Sequence, residues 1–478
     1  MKIKSENARN ALMVISSNLL TIIIALFTGF IIPKQLSVAD YAYYHVYCLY
    51  IAYAGFFHFG LVNGIYLKYG HLDVNELPSD RFRRYSRMMF VLQGVVVAVL
   101  AVLLLLLRPA DTNNSLAYAF IIINIPLVNI KWFYSSINQF TKRFVIDSMV
   151  TYLQNALTLL MVVTIIIFQW YHFEVLLILT TVINAICMLI VMCQNREFLG
   201  KITGGPGDSD VKPLIRSGFF LMLSEFVGII ILGIDSMFVQ NLFTVKEFAM
   251  YSFAISIITV IYTLISTVSN LIYPYLVRVE EEKYAEYYTL MSDVLSVVSI
   301  FSLLAFYAAK FIVVMWLDKY TESISITAIL FGTVVFRSLI MLVCGNYFKV
   351  MKMIKEYTRN NIFAIVISTL LAFAAYFVFR EYHYIAAASL LSFIIWYIVT
   401  DFVFIRKLNI PKIGCVRRYV CIALSLTVFY LLLEMSSVAA FFIYMVSAAG
   451  ICLLCFWKQF RKLFGIIRAG VAAGKSRE

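Results

Sequence analysis

The sequence predicts an all-α polytopic membrane protein of 14 transmembrane helices, built as two parallel six-helix repeats followed by two C-terminal helices. Three observations lead there. Hydrophobic residues make up 62% and charged residues 14% of the 478 positions, whereas soluble domains hold roughly half and a quarter. Apolar runs recur along the chain at the length of about 20 residues that crosses a hydrocarbon core. Finally, LSVADYAYY at 36–44 is echoed 207 positions later by FTVKEFAMY at 243–251, each string lying between two long apolar runs.

The candidate spans are 12–32, 43–67, 88–107, 117–137, 148–168 and 173–193 in the first half, and 219–239, 249–276, 294–316, 324–348, 361–379 and 384–405 in the second. Two more follow at 419–433 and 438–457. Basic residues test the count independently, because translocation leaves Lys and Arg in cytoplasmic loops. With every second loop assigned to the cytoplasm, inner segments hold 31 Lys and Arg and outer loops hold six, and both termini are placed inside. A missed or invented span would reverse that alternation downstream of it. The net charge of +13 is thus an orientation signal first, and nucleic acid is not implied.

The echo falls between spans one and two and again between spans seven and eight, so the repeat unit is six spans. An even number brings the second copy in from the same face, making the halves parallel repeats about an axis along the membrane normal. The expected domains are an amino-terminal bundle at 1–198, a cytoplasmic linker at 199–213, a second bundle at 214–406, and two extra helices with a basic tail at 407–478. Gly204, Gly205, Pro206, Gly207 and Asp208 cannot hold a helix and mark the linker. In the tail, Phe456, Phe460, Phe464 and Ile467 oppose Lys458, Arg461, Lys462 and Arg468, the pattern of a helix lying on an anionic leaflet. GVAAGKS at 470–476 lacks the glycine at 469 that a phosphate loop requires, and no strand precedes it. No loop is large enough for a soluble catalytic domain, so no enzyme activity and no cofactor are expected. The first span is too long for a signal peptide.

An ionised side chain at the centre of a lipid-facing helix costs roughly 2.5 to 3.5 kcal/mol even on a lenient scale. Lys131 in span four, Glu225 and Asp235 in span seven, and Arg337 in span ten are therefore expected to face a hydrated interior. Arg337 lies twelve residues from Lys349, about 18 Å along a helix axis, too far to snorkel. Asn124, Lys131, Ser135 and Asn138 share one helical stripe, a pattern that points to water-filled space. Spans four and ten hold equivalent places in the two halves, so Lys131 and Arg337 form a pair of cations suited to a diphosphate, one as a point charge and the other as a fork. Glu225 and Asp235 are separated by about 15 Å of depth and roughly 80° of rotation, which excludes a catalytic carboxylate pair. They serve either as partners of the interior cations or as ion-coupling sites whose pKa desolvation raises.

Span two is rich in aromatics, from Tyr43 to Phe59, which form either a sugar-stacking surface or, as packing elements, an interfacial belt. Gly60 and Gly64 are expected to permit close helix contact. The five histidines show no metal-ligand spacing, and the eight cysteines are read as core residues.

With Asn18 in the first span followed by GFIIPKQLSVADYAYYHVY and GLVNGIYLKYG, the chain resembles the polysaccharide-flippase family of bacterial inner membranes, relatives of the multidrug and toxic compound extruders. The resemblance covers the whole layout. It implies alternating translocation of undecaprenyl-diphosphate-linked oligosaccharides, such as O-antigen or capsule repeat units, from inner to outer leaflet through a charged V-shaped cavity. Lys131 and Arg337, with Asn124 and Asn18, are the implied substrate-binding residues, and membrane lipids, a polysaccharide polymerase and glycosyltransferases the implied partners. Related lipid II flippases carry arginines in the first helix where this chain has Asn18 and Thr28, which argues against lipid II as cargo. The extruder branch commonly places a coupling carboxylate in the first helix, and this first span has none. The alternative reading is a cation-coupled multidrug exporter using Glu225 or Asp235.

Overall fold

A computed structural model describes residues 2–202 and 211–475. The linker residues Gly204, Gly205, Pro206, Gly207 and Asp208 lie outside the described residues, as do the side chains of Glu225 and of the tail from Lys458 onward.

The chain is a multi-pass helical membrane protein. Its helices, in order, are α1 (Lys2–Gln35), α2 (Val38–Ile51), α3 (Leu61–Tyr69), α4 (Ser79–Leu107), α5 (Thr112–Phe140), α6 (Phe144–Phe168), α7 (Phe173–Gln194), α8 (Val211–Leu242) and α9 (Val245–Leu276). There follow α10 (Tyr284–Ser302), α11 (Leu304–Trp316), α12 (Ser323–Leu339), α13 (Gly345–Val350), α14 (Ile354–Phe379), α15 (Tyr382–Lys407), α16 (Lys412–Leu431) and α17 (Ser437–Lys475). Among the described residues 12 helices are long and apolar enough to cross a membrane. The bent pair α2 and α3 adds a further candidate.

That bent pair corrects the sequence reading of 43–67 as one continuous span. Helix α2 gives way to a 3-10 turn at Ala54–His58, and the two pieces meet at 55°. Phe59 and Gly60 both take left-handed backbone, at φ 49 and φ 81, and a right-handed helix cannot pass through two such residues. The predicted ninth span is longer than 294–316, running from Glu281 through α10 and α11 to Trp316.

Two compact units divide the chain, 1–252 and 253–478. In the first, α5 packs against α2, α4 and α7, while α1 lies along α6. Helices α3 and α8 meet closely because small residues face each other: a Cβ on Gly64 would sit 2.2 Å from the Leu214 carbonyl oxygen, and one on Gly218 would sit 2.0 Å from that of Gly60. The close contact expected of Gly60 and Gly64 is therefore present, made with α8. In the second unit α12 is central, with 89% of the apolar stretch in its span buried, and packs against α10 and α15. Helix α14 flanks α15, and α17 covers α11 and α16.

Buried tyrosines hold each unit together by pairing a large apolar ring with a polar tip that must find a partner. Tyr134 meets Ser86 in the first unit, whereas Tyr307 and Tyr444 donate to the carbonyls of Phe429 and Ile300 in the second. The aromatics of α2 serve the same end. Tyr43 packs on Phe173, Tyr47 is buried, and the Tyr50 hydroxyl donates to Gln240 at 2.8 Å.

Local geometry recurs at places related by the sequence echo. Ser37 and Thr244 cap α2 and α9 through their hydroxyls. Lys142 and Lys352 end the helices of spans four and ten in left-handed backbone, and Gln169 and Arg380 end the helices that follow. Between α12 and α13 a π-turn, Ile340–Cys344, widens the helix, with the Gly345 N–H donating to the Ile340 carbonyl. Ser269 of α9 fills the widened turn, its hydroxyl donating to the Met341 carbonyl at 3.0 Å.

The α3–α8 seam yields a prediction. Gly64→Ala should destabilise the protein by about 1–3 kcal/mol through overpacking, whereas Gly94→Ala, where a Cβ meets nothing within 4 Å, should not. Thermal unfolding of both variants in detergent checks this.

Candidate functional site

Arg337 lies on α12 and is 7% exposed. Its guanidinium stacks on the Tyr262 ring of α9 at 3.9 Å from the centroid, and the Tyr262 hydroxyl meets Thr333 one turn earlier on α12. The Nε is sealed and has no hydrogen-bond partner. No described carboxylate forms an ion pair with this arginine. A cation–π contact is worth about 2 kcal/mol when desolvated, well short of what burying a charge costs. Arg337 is accordingly a cation held in place by packing, its charge left for an anion to answer.

The rest of the predicted set is distributed differently. Lys131 is half-buried on α5 and its Nζ donates to the side-chain amide oxygen of Gln154 on α6 at 2.9 Å. Asn124, expected on a water-lined stripe, is instead fully enclosed by protein. Its amide donates to Thr181 and to the Phe120 carbonyl, and its oxygen accepts from Asn184. The stripe faces neighbouring helices because asparagine can supply donors and acceptors to α7 at once. Asn138 is likewise enclosed. Asn18 is exposed on α1. Asp235 is buried on α8 and accepts from the Tyr251 hydroxyl at 2.8 Å and from the Ser236 N–H at 2.7 Å. Lys131 and Asp235 belong to the first unit and Arg337 to the second.

A cluster that the sequence reading missed lies in the second unit. Arg418 of α16 is fully buried, with its Nε 3.6 Å from Asp293 of α10 and its Nη1 3.6 Å from Asp401 of α15. Arg417 reaches the other oxygen of Asp293 at 3.2 Å. Tyr288 and Tyr419 each donate to Asp401 at 2.6 Å. Two arginines and two aspartates make the group formally neutral, which is what allows it to be enclosed. The basic-residue count places Arg417 and Arg418 in the loop ahead of span thirteen. Helix α16 begins at Lys412 and carries both into the bundle. The available signal was Asp401, an acid inside the predicted twelfth span with no partner in the count of interior charges.

The class these features define is a helical, multi-pass membrane protein with a charged residue enclosed at the core of its second unit. In fold, the chain is similar to a lipid II flippase, MurJ, in an inward closed conformation, at TM-score 0.68 and 13% identity over 96% of this chain and 100% of that one. It is also similar to an inward-facing multidrug resistance MATE transporter of the MOP superfamily, at TM-score 0.63 and 13% identity over 82% and 94% of the two chains. An outward-facing MATE transporter of the same superfamily aligns at TM-score 0.53 and 12% identity over 83% and 94%. No protein-family profile and no curated protein matches the sequence. The chain therefore has the fold shared by MurJ and the MATE transporters.

Removing one member of the neutral cluster should leave an unanswered buried charge. Arg418→Met is expected to cost about 3–5 kcal/mol, seen as a lowered unfolding temperature, with Arg418→Lys intermediate.

Proposed function

We propose that this chain is an alternating-access flippase that carries undecaprenyl-diphosphate-linked oligosaccharide repeat units from the inner to the outer leaflet. The observation that carries this reading is Arg337, a stacked and enclosed guanidinium without an acidic partner among the described residues. A forked guanidinium pairs with the two oxygens of a phosphate more specifically than an ammonium does. In this role Arg337 receives the diphosphate, while the polyprenyl chain stays in lipid. No covalent bond changes. Fold likeness to MurJ supports the reading, since that neighbour is described as a lipid II flippase. The topology that accompanies it is fourteen spans in two parallel six-helix halves, with both termini in the cytoplasm of a bacterial inner membrane. Recurrent capping at Ser37 and Thr244 supports the duplication. A polysaccharide polymerase and glycosyltransferases are the partners this role requires.

In cells that assemble a lipid-linked glycan, Arg337→Ala should leave the protein in the membrane and strand cargo on the inner leaflet, lowering surface glycan at least tenfold. Arg337→Lys should restore part of it. Wild-type surface glycan in Arg337→Ala would overturn the assignment.

A second reading, a cation-coupled multidrug exporter, is favoured by the buried carboxylate of Asp235. It predicts ion-driven dye efflux from proteoliposomes that Asp235→Asn abolishes. The flippase reading predicts no dye efflux from the wild-type protein.

A further inference from the structure

We propose that Asp40, His172 and Glu174 form a site for a divalent transition metal, Zn2+ being the cation the ligand set suits. Asp40 lies in the first turn of α2, His172 caps α7, and Glu174 lies in the first turn of α7. One ligand atom from each lies within 4.8 Å of the other two. Atoms bound tetrahedrally to a single zinc ion at about 2.0–2.2 Å are about 3.3–3.6 Å apart, so closure on the ion draws the side chains together by about 1 Å. All three residues belong to the first unit.

Two observations separate this group from ordinary acids at helix starts. Glu174 Oε2 is sealed from solvent and has no hydrogen-bond partner. A carboxylate oxygen in that condition has lost water and gained nothing, and a bound cation is what answers it. Asp40 is oriented from both sides, by the Phe173 N–H at 3.2 Å on Oδ1 and by the Ser37 hydroxyl on Oδ2. No described Lys or Arg forms an ion pair with Asp40 or Glu174, so the two carboxylates lie beside each other with their charge available to a metal.

The imidazole decides the class. Calcium and magnesium take oxygen ligands, whereas a histidine beside carboxylates suits zinc and its neighbours. His172 is exposed, which gives the ion a route from solvent and leaves a coordination position for water. Glu247 stands where Asp40 does in the second copy of the echo. It makes a capping box with Thr244, accepting the Thr244 N–H at 2.8 Å, and serves as an internal control. Bound metal would clip the start of α2 to the start of α7. This site is independent of the transported substrate.

The test uses the full-length protein in detergent, stripped with a chelator and titrated with ZnCl2 by isothermal titration calorimetry. One ion should bind per chain and raise the unfolding temperature. His172→Ala and Glu174→Gln should each weaken binding tenfold or more, and Glu247→Gln should leave it unchanged. If Glu174→Gln fails to fold, the exposed His172 variant still decides the matter. Absence of saturable one-to-one binding, equal binding in His172→Ala, or preference for CaCl2 over ZnCl2 would each overturn the assignment.

Discussion

Charge and polarity inside an apolar bundle must be answered by the protein, because lipid offers nothing, and this requirement organises the structure. Where the second unit buries Arg418, it sets Asp293 and Asp401 against it, balances them with the half-buried Arg417 and adds tyrosine hydroxyls to complete Asp401. Where the first unit encloses Asn124, it surrounds the amide with Thr181 and Asn184. Against this background Arg337 is distinctive in chemistry, not merely in position. It has an aromatic face and no acid, a combination that keeps the guanidinium fixed without using up its charge.

Packing follows from the same scarcity of polar partners. Helices α3 and α8 come close enough for backbone to touch backbone because Gly60, Gly64 and Gly218 carry no side chain there. In the second unit the contacts are made by tyrosines, whose rings fill the space between helices and whose hydroxyls reach carbonyls across them. The first unit thus gains proximity by omitting side chains at this seam, and both units gain cohesion from large amphipathic ones.

Much of this was legible because hydropathy and helical period are local properties. The apolar spans and the glycine contact follow from residues within one segment. What escaped reading depends on residues distant in sequence. Arg418 meets Asp293 and Asp401 only after three helices converge, and a basic pair beside a span looks like loop charge until the helix start is known. Periodicity assigns Asn124 to water because it gives a face but not what the face meets. The break at Phe59 and Gly60 was hidden because apolar residues continue across it. Asp40 and His172 likewise come together only through the packing of α2 on α7.

The widened turn at Ile340–Cys344 carries a consequence for chain length. It holds one residue more than an ordinary helix would use over the same path, and each residue of an α-helix advances the azimuth by about 100°. Deleting a single position there would restore a regular helix and leave Asn346 facing Ser269 and Tyr347 facing the Tyr284 carbonyl. Arg337, upstream, would keep its place over Tyr262. The wide turn thus takes up a one-residue change in length that, placed in the regular helix on either side, would turn one end against the other by about 100°.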